Sequence, residues 1–114
     1  MQHLARTFTA ADYDRLTGLL NRHGIETYLS RLKDQEDIFV LLVDIDHFKQ
    51  VNDHFGHEVG DAALAHVAGI LQQCSRQGDV IGRWGGEEFV GLIHAPTDAA
   101  ALAIADRYRQ AVAS

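Results

Sequence analysis

Apolar residues recur every three or four positions in several segments of the chain, which is the spacing of an amphipathic helix. This pattern predicts a helix from about Arg22 to Lys33, a short one around Phe48 to His54 that turns at Gly56, and a longer one from about Glu58 to Cys74. Near the end of the chain, DAAALAIADRYRQAVA predicts an alanine-rich helix that Thr97 or Asp98 caps.

Three other segments are rich in strand-forming residues. Ile38 to Val43 is an unbroken apolar run, typical of a central strand buried on both faces. VIGRW and EFVGLI flank Gly85 and Gly86 and predict a hairpin in which the two glycines supply the positive φ angles of a tight turn. The order of elements predicts an α/β (α+β) fold, a sheet with helices on at least one face. Chains of this pattern usually place another strand after such a helix, so we expect the sequence to stop before its domain does.

Composition limits the kinds of partner. The 114 residues allow one domain, and 46% apolar with 23% charged residues is ordinary globular usage. The net charge of −6 argues against non-specific binding to nucleic acid or anionic lipid. The single Cys74 cannot form an internal disulfide, and the chain shows no apolar leader or membrane span, so we expect a cytoplasmic domain with no membrane contact.

Carboxylates occupy two places where chemistry is plausible. Asp44 and Asp46 follow the apolar strand, at the rim where α/β sheets commonly bind ligands, and Glu87 and Glu88 lie at the exit of the hairpin turn. Mg²⁺ takes oxygen ligands, usually one or two carboxylates together with substrate phosphates. A solvated strand end is the alternative interpretation of Asp44 and Asp46.

Other sites match less well. A calcium loop beginning at Asp44 would have Phe48 and Lys49 where it needs an oxygen ligand and a glycine. His54 and His57 have a spacing suited to zinc, but no second close pair follows them. The glycines of the hairpin are not followed by the G-K-[ST] of a phosphate-binding loop, and no serine has the context of a nucleophile.

Three stretches taken together resemble the GGDEF family of diguanylate cyclases, in order and at the usual separations. They are DRLTGLLNR from Asp14 to Arg22, DIDHFKQVNDHFGHEVGD from Asp44 to Asp61, and RWGGEEF from Arg83 to Phe89. The match covers residues 10–114, roughly the first two-thirds of the family domain, and leaves residues 1–9 as a connector. The resemblance implies a fold like the palm of adenylyl cyclases and polymerases, and a reaction that converts two GTP into cyclic di-GMP and two pyrophosphates.

The resemblance gives the acidic residues roles in phosphoryl transfer. It implies that Glu87, Asp44 and the carbonyl of Ile45 hold Mg²⁺, with Mn²⁺ as an alternative, against the GTP phosphates. Glu88 is implied to be a metal ligand, the base for the ribose 3′-hydroxyl, or both. Gly85 and Gly86 are implied to contribute to substrate binding.

The same resemblance assigns the rest of the substrate site. It implies that Asn52 and Asp61 recognise guanine. Guanine has adjacent N1–H and N2–H donors that suit a carboxylate, whereas adenine has an acceptor at N1. Local helix capping by Asn52 and Asp61 is the alternative. Backbone amides of His47, Phe48 and Lys49 are implied to cradle the β- and γ-phosphates.

A product site is also implied. Arg76 and Asp79, five residues before GGEEF, resemble the RxxD inhibitory site that binds cyclic di-GMP in many members, and Arg107 aligns with a secondary arginine of that site. The alternatives are an ordinary polar turn for the first pair and a solvated helical arginine for Arg107.

Two GTP molecules must meet, so the resemblance implies a homodimer of two domains face to face, and an upstream sensor domain in the parent protein. A second hypothesis is a non-catalytic module that binds GTP or cyclic di-GMP through Arg76 and Asp79. A third is an inert fragment with an exposed apolar sheet edge.

Overall fold

The computed structural model describes residues 8–32 and 37–113. A short 3-10 turn, Ala10–Asp12, precedes four α-helices and three strands. In chain order these are α1 Arg22–Ser30, β1 Ile38–Asp44, α2 Phe48–Phe55, α3 His57–Cys74, β2 Val80–Arg83, β3 Glu88–His94 and α4 Asp98–Ala113. The predicted mixture of helices and sheet is confirmed.

The three strands form one antiparallel sheet in the order β1-β3-β2. β3 lies in the centre because it pairs along its whole length with β1 and pairs with all four residues of β2. Its residues Phe89 to Ile93 are all buried, as expected for a strand with a neighbour on each side and helices on both faces.

Helices cover both faces of this sheet and create two apolar clusters. On one face, side chains of α2, α3 and α4 pack on Phe89, Ile93 and Ile81. On the other face, Ile25 and Tyr28 of α1 pack on Val90 and Leu92. The sheet is therefore a packed layer that fixes the positions of the residues at both of its ends.

The prediction that Ile38 to Val43 is a central strand buried on both faces is wrong. β1 is an edge strand, and Val40 and Leu42 are 60% and 73% exposed. Leu41 and Val43 pack against the cluster under α3 and α4, whereas on the opposite face the α1 cluster covers β2, β3 and only the first residue of β1, Ile38. Between β1 and α4 runs a groove of about 660 Å³, and Asp44 and Asp46 lie among the residues that line it.

The predicted hairpin is confirmed, but the role given to its glycines is wrong. A four-residue loop, residues 84–87, joins β2 to β3, and neither Gly85 nor Gly86 has a positive φ. Four-residue loops are commonly built from ordinary turn conformations, which need no left-handed residue. Gly85 instead makes a close approach, because a Cβ there would lie 2.9 Å from Glu88 Oε1 and would displace the end of that side chain.

The helix ends agree with the predictions except at α1, which stops at Ser30 with Arg31 as its C-terminal cap, earlier than expected; Lys33 lies outside the described residues. Thr97 caps α4 by accepting a hydrogen bond from the Ala100 amide at 3.1 Å.

Most of the predicted connector, residues 1–7, also lies outside the described residues. Phe8 packs against the apolar cluster that Ile25 and Tyr28 of α1 form with β3. Within the described ranges, no helix is long and apolar enough to cross a membrane.

Candidate functional site

The predicted carboxylates meet at one end of the sheet. The register of β1 and β3 places Asp44 directly opposite Glu88, and both residues are exposed. Residues directly opposite on neighbouring strands have Cβ atoms about 5 Å apart, and two like charges there destabilise the pairing. The strands therefore hold two acids side by side at a cost that a bound cation would remove.

The loop before β3 brings Glu87 to the same end. Its backbone closes on Glu88, whose carbonyl oxygen accepts hydrogen bonds from the amides of Trp84 at 2.8 Å and Gly85 at 3.3 Å. The Glu88 side chain lies against the Cα of Gly85, where a larger residue would displace it. Gly85 thus influences the position of the Glu88 carboxylate. The carbonyl oxygen of Gly86 accepts hydrogen bonds from Arg83.

Arg83 holds this loop in place and was not identified from the sequence. Its Nη2 and Nε atoms donate to the Gly86 carbonyl at 2.7 and 3.2 Å, and its Nη1 atom donates to both carboxylate oxygens of Asp14 at 3.2 Å. Burial alone would raise the pKa of Asp14, but hydrogen bonds from the Thr17 hydroxyl and amide and from Arg83 outweigh it and lower that pKa. In the sequence, the signals for this contact were Asp14 at the start of D-R-L-T and Arg83 directly before W-G-G.

The segment after Asp44 leads directly into the amino terminus of α2. His47 adopts the left-handed conformation, with φ 62°, and no side chain caps the helix. Phe48 is buried in the core and anchors the first turn, and Lys49 is exposed. The first amides of a helix lack intrahelical partners, so this turn offers N–H donors beside the carboxylates.

The predicted guanine-binding residues lie at the junction of α2 and α3. Asn52 is in the interior of α2, and Asp61 is the fifth residue of α3, past the positions at which a side chain caps a helix. The capping alternative is therefore wrong for both. Asn52 Oδ1 is buried with no hydrogen-bond partner among the described residues, and the Asp61 side chain is exposed.

Gly60 is a second residue that was missed. It is buried in α3, and a Cβ at this position would overlap the Asn52 carboxamide. The signal in the sequence was a glycine immediately before Asp61, inside a helix, where glycine is otherwise unfavourable.

Arg76, Asp79 and Arg107 meet at the other end of the sheet. Arg76 donates to Asp79 through Nε at 3.2 Å and Nη2 at 3.1 Å, and also to the His94 carbonyl at 2.8 Å. Tyr108 donates to Asp79 at 3.1 Å, and Arg107 donates to the carbonyl of Cys74 at 3.2 Å. The predicted polar turn is present, because the Asp79 amide also donates to the Arg76 carbonyl.

Two ionisable groups at this end are perturbed. Burial raises the pKa of Asp79, but hydrogen bonds from Arg76 and Tyr108 outweigh it and leave that pKa below the usual value. Burial and the neighbouring Asp79 charge raise the pKa of Tyr108 to about 12. Arg76 keeps 38% of its side chain exposed while that of Asp79 is 1% exposed, so the arginines are the groups open to a ligand.

The donor set at the carboxylate end suits magnesium better than zinc. No group of three or more His, Cys, Asp or Glu side chains is arranged to hold a metal ion in the described part of the chain. A zinc site needs three or four such ligands from the protein, whereas Mg²⁺ is usually held by one or two carboxylates and completed by substrate phosphates and water. The oxygen ligands of Asp44 and Glu88 fit the second pattern.

The chain matches a family model over nearly its whole length. The family described as "Diguanylate cyclase, GGDEF domain" matches residues 11–114. The protein named diguanylate cyclase DgcM, from Escherichia coli strain K12, is 44% identical over 110 residues, which cover 91% of this chain and 27% of DgcM. The chain thus spans about a quarter of that curated relative.

Solved structures agree with the sequence match. The structure of YfiN from Pseudomonas aeruginosa, described as comprising only its GGDEF domain, superposes with a TM-score of 0.82 at 36% identity over 90% of this chain and 63% of that one. The GGDEF domain of DgcB from Caulobacter crescentus, in complex with c-di-GMP, superposes with a TM-score of 0.80 at 29% identity over the same shares. The chain therefore belongs to the GGDEF family of diguanylate cyclase domains.

Proposed function

We propose that this domain condenses two GTP molecules into cyclic di-GMP and two pyrophosphates, with Mg²⁺ as cofactor and Mn²⁺ as a substitute. The observation that carries the proposal is the pairing of Asp44 with Glu88 across β1 and β3, beside the amino terminus of α2. Membership in the GGDEF family and the likeness to DgcM support it.

Asp44, the Ile45 carbonyl and Glu87 are the proposed metal ligands, and Glu88 is either a further ligand or the general base. When bound, Mg²⁺ would neutralise charge on the phosphates and between the paired carboxylates. As a base, Glu88 takes the proton of the ribose 3′-hydroxyl, which then attacks the α-phosphorus of the other GTP and displaces pyrophosphate.

The remaining contacts hold the nucleotide. The backbone amides from His47 to Lys49 are proposed to donate to the β- and γ-phosphates, and Asn52 and Asp61 to the guanine edge. The buried, unpaired Oδ1 atom of Asn52 supports this role, because such an acceptor is stabilised when a ligand supplies a donor. Gly85 and Gly86 contribute by shaping the loop that carries the glutamates.

Each domain would bind one GTP, so the reaction needs a homodimer in which two sites face each other. Product inhibition is proposed at Arg76, Asp79 and Arg107, where Asp79 orients Arg76 and the two arginines contact the product. Arg76 donates to the His94 carbonyl, and His94 lies six positions after Glu88 in β3, a distance of about 20 Å at roughly 3.3 Å per residue.

A second candidate is a receptor that binds GTP or cyclic di-GMP without turnover. The separation of Arg76 and Asp79 from the carboxylate pair favours it, since binding at one end of the sheet does not require chemistry at the other. The paired acids favour the cyclase, because a domain that only binds the product has no need of them.

Product analysis separates these candidates. We would incubate the full-length protein with GTP and Mg²⁺ and identify the products by chromatography, for the wild type, Glu88→Gln and the control Glu26→Gln. Glu26 is an exposed glutamate on α1 that pairs only weakly with Arg22. We expect cyclic di-GMP from the wild type and the control, and a loss of roughly 10² or more in Glu88→Gln. A folded dimer that binds cyclic di-GMP but makes none would contradict the cyclase and support the receptor.

A further inference from the structure

We infer that Gly60 determines nucleotide specificity by holding the Asn52 carboxamide in one position. Gly60 is a positioning residue, since it acts through Asn52 and is not itself assigned a contact with the nucleotide. The inference rests on the proposed GTP site and adds a residue to it.

The packing of α2 on α3 shows how Gly60 acts. The two helices are joined at Gly56, whose φ of 88° makes the corner, and they fold back on each other. A Cβ at position 60 would overlap Asn52 Oδ1 and lie 2.8 Å from Asn52 Cγ and 3.4 Å from Phe48 Cζ. The carboxamide therefore occupies the space that a side chain would fill at any other residue type.

The Asn52 carboxamide has no hydrogen-bond partner to orient it in residues 8–32 and 37–113. Its Oδ1 atom is buried and accepts no hydrogen bond from the described residues. An Asn side chain has two rotatable bonds, so without a hydrogen bond only packing keeps it in one orientation. Gly60 supplies that packing surface, and Asp61, the other proposed guanine contact, is the next residue along the chain.

An alanine at position 60 should alter the site without unfolding the domain. The atoms it would meet first are the end of a flexible side chain, which can rotate away, rather than backbone. Alanine is also more favourable than glycine inside a helix, so α3 itself is not weakened. The expected effect is a displaced carboxamide in a folded protein.

The same helix offers a matched control. Gly69 lies on α3, is exposed, and has no atom within 4 Å of a Cβ built upon it. Gly69→Ala therefore makes the same chemical change and the same gain in helix propensity without a contact to Asn52.

Kinetics with two nucleotides test the inference on the full chain. For the wild type, Gly60→Ala, Gly69→Ala, Asn52→Ala and the double variant of positions 52 and 60, we would measure KM and kcat with GTP and with ITP, which lacks the 2-amino group of guanine. We expect Gly60→Ala to lower kcat/KM for GTP at least tenfold, chiefly through KM, and to affect ITP less. Gly69→Ala should match the wild type. In the Asn52→Ala background, Gly60→Ala should change kcat/KM by less than twofold.

A readout independent of turnover separates the inference from the proposed function. In ¹⁵N-labelled protein, the side-chain NH₂ signals of Asn52, assigned by their loss in Asn52→Ala, should shift in Gly60→Ala and stay in place in Gly69→Ala. Unmoved signals in Gly60→Ala, or a further tenfold loss on the Asn52→Ala background, would overturn the inference. If the signals shift in Gly60→Ala but the wild type does not turn over GTP, the failure lies in the proposed function alone.

Discussion

The aspartates and glutamates of this chain differ in whether they have a partner. Asp12, Asp14 and Asp79 each accept several hydrogen bonds, and the pKa of each is lowered. Asp44, Asp61, Glu87 and Glu88 make no ion pair with any residue in the described ranges. Carboxylates of the first kind hold the structure together, and those of the second kind remain open to a cation or a ligand.

The hydrogen bond from the Tyr108 hydroxyl to Asp79 allows a test of the structural role given to Asp79. Tyr108→Phe removes the hydrogen bond to Asp79, and we expect the free energy of unfolding at pH 8 to fall by roughly 1–2 kcal/mol. Because the pKa of Tyr108 is raised in the folded state, this contribution is complete below the usual tyrosine value near 10 and is lost as the pH rises towards about 12.

Denaturant unfolding at several pH values, compared with Tyr13→Phe, checks this prediction. Tyr13 is 43% exposed, so its variant should match the wild type throughout. A difference between wild type and Tyr108→Phe that does not shrink above pH 10 would contradict the assigned role of the hydroxyl.

Several roles of single residues could be predicted from sequence only through the family motifs. The pairing of Asp44 with Glu88 could not, because strand register depends on the loop and on which strands are neighbours. Gly60 was missed for a related reason. Its value depends on a side chain eight positions away that reaches it only once α2 folds back on α3.

The β2–β3 hairpin is the element on which the site depends most. Arg83 ties its loop to Asp14 with a planar group that donates in two directions at once, which a lysine cannot reproduce. We expect Arg83→Lys to lower kcat by roughly 10²-fold at a temperature where the variant is fully folded, since misplacing a catalytic group by about 1 Å has a cost of that order.

Steady-state kinetics on the full chain, with KM reported beside kcat, check this. The control is Arg15→Lys, an exposed arginine in the turn after Asp14. If Arg83→Lys loses stability but keeps the wild-type kcat, the contact is structural only and does not position the glutamates.

Whether a segment forms a helix or a strand could be predicted from the sequence, but what packs beside it could not. Apolar spacing located α1, α2 and α3, because that spacing follows directly from helix geometry. An alanine-rich composition located α4, and strand-forming residues located β1, β2 and β3. These patterns could not show that β1 is an edge strand, since an apolar run looks the same whatever lies beside it. The hairpin loop is similar, because a glycine pair fits both a positive φ and a close approach, and here Gly85 serves the second.

The length of the sheet separates the two candidate sites. Carboxylates and the α2 amino terminus lie at one end, and Arg76, Asp79 and Arg107 lie at the other. β3, with helices on both faces, joins these two ends, and α3 also reaches the arginine end, where the Cys74 carbonyl accepts a hydrogen bond from Arg107.

Thermal unfolding tests whether a cation site is built on Asp44, the residue opposite Glu88 in the sheet. We would compare the wild type, Asp44→Asn and the control Asp46→Asn in the presence of a GTP analogue that lacks the 3′-hydroxyl, with and without Mg²⁺. Asp46 is an exposed neighbour outside the strand pairing. Without Mg²⁺, Asp44→Asn should be as stable as the wild type or more so, by about 0.2–1 kcal/mol, because the like-charge repulsion is relieved.

With Mg²⁺ the order should reverse. Ligand linkage at a hundredfold excess over Kd stabilises a folded protein by about 2.7 kcal/mol, so the Tm of the wild type and of Asp46→Asn should rise by several degrees. Asp44→Asn should lose most of this Mg²⁺-dependent rise. An equal rise in all three proteins would contradict a cation site built on the Asp44–Glu88 pair.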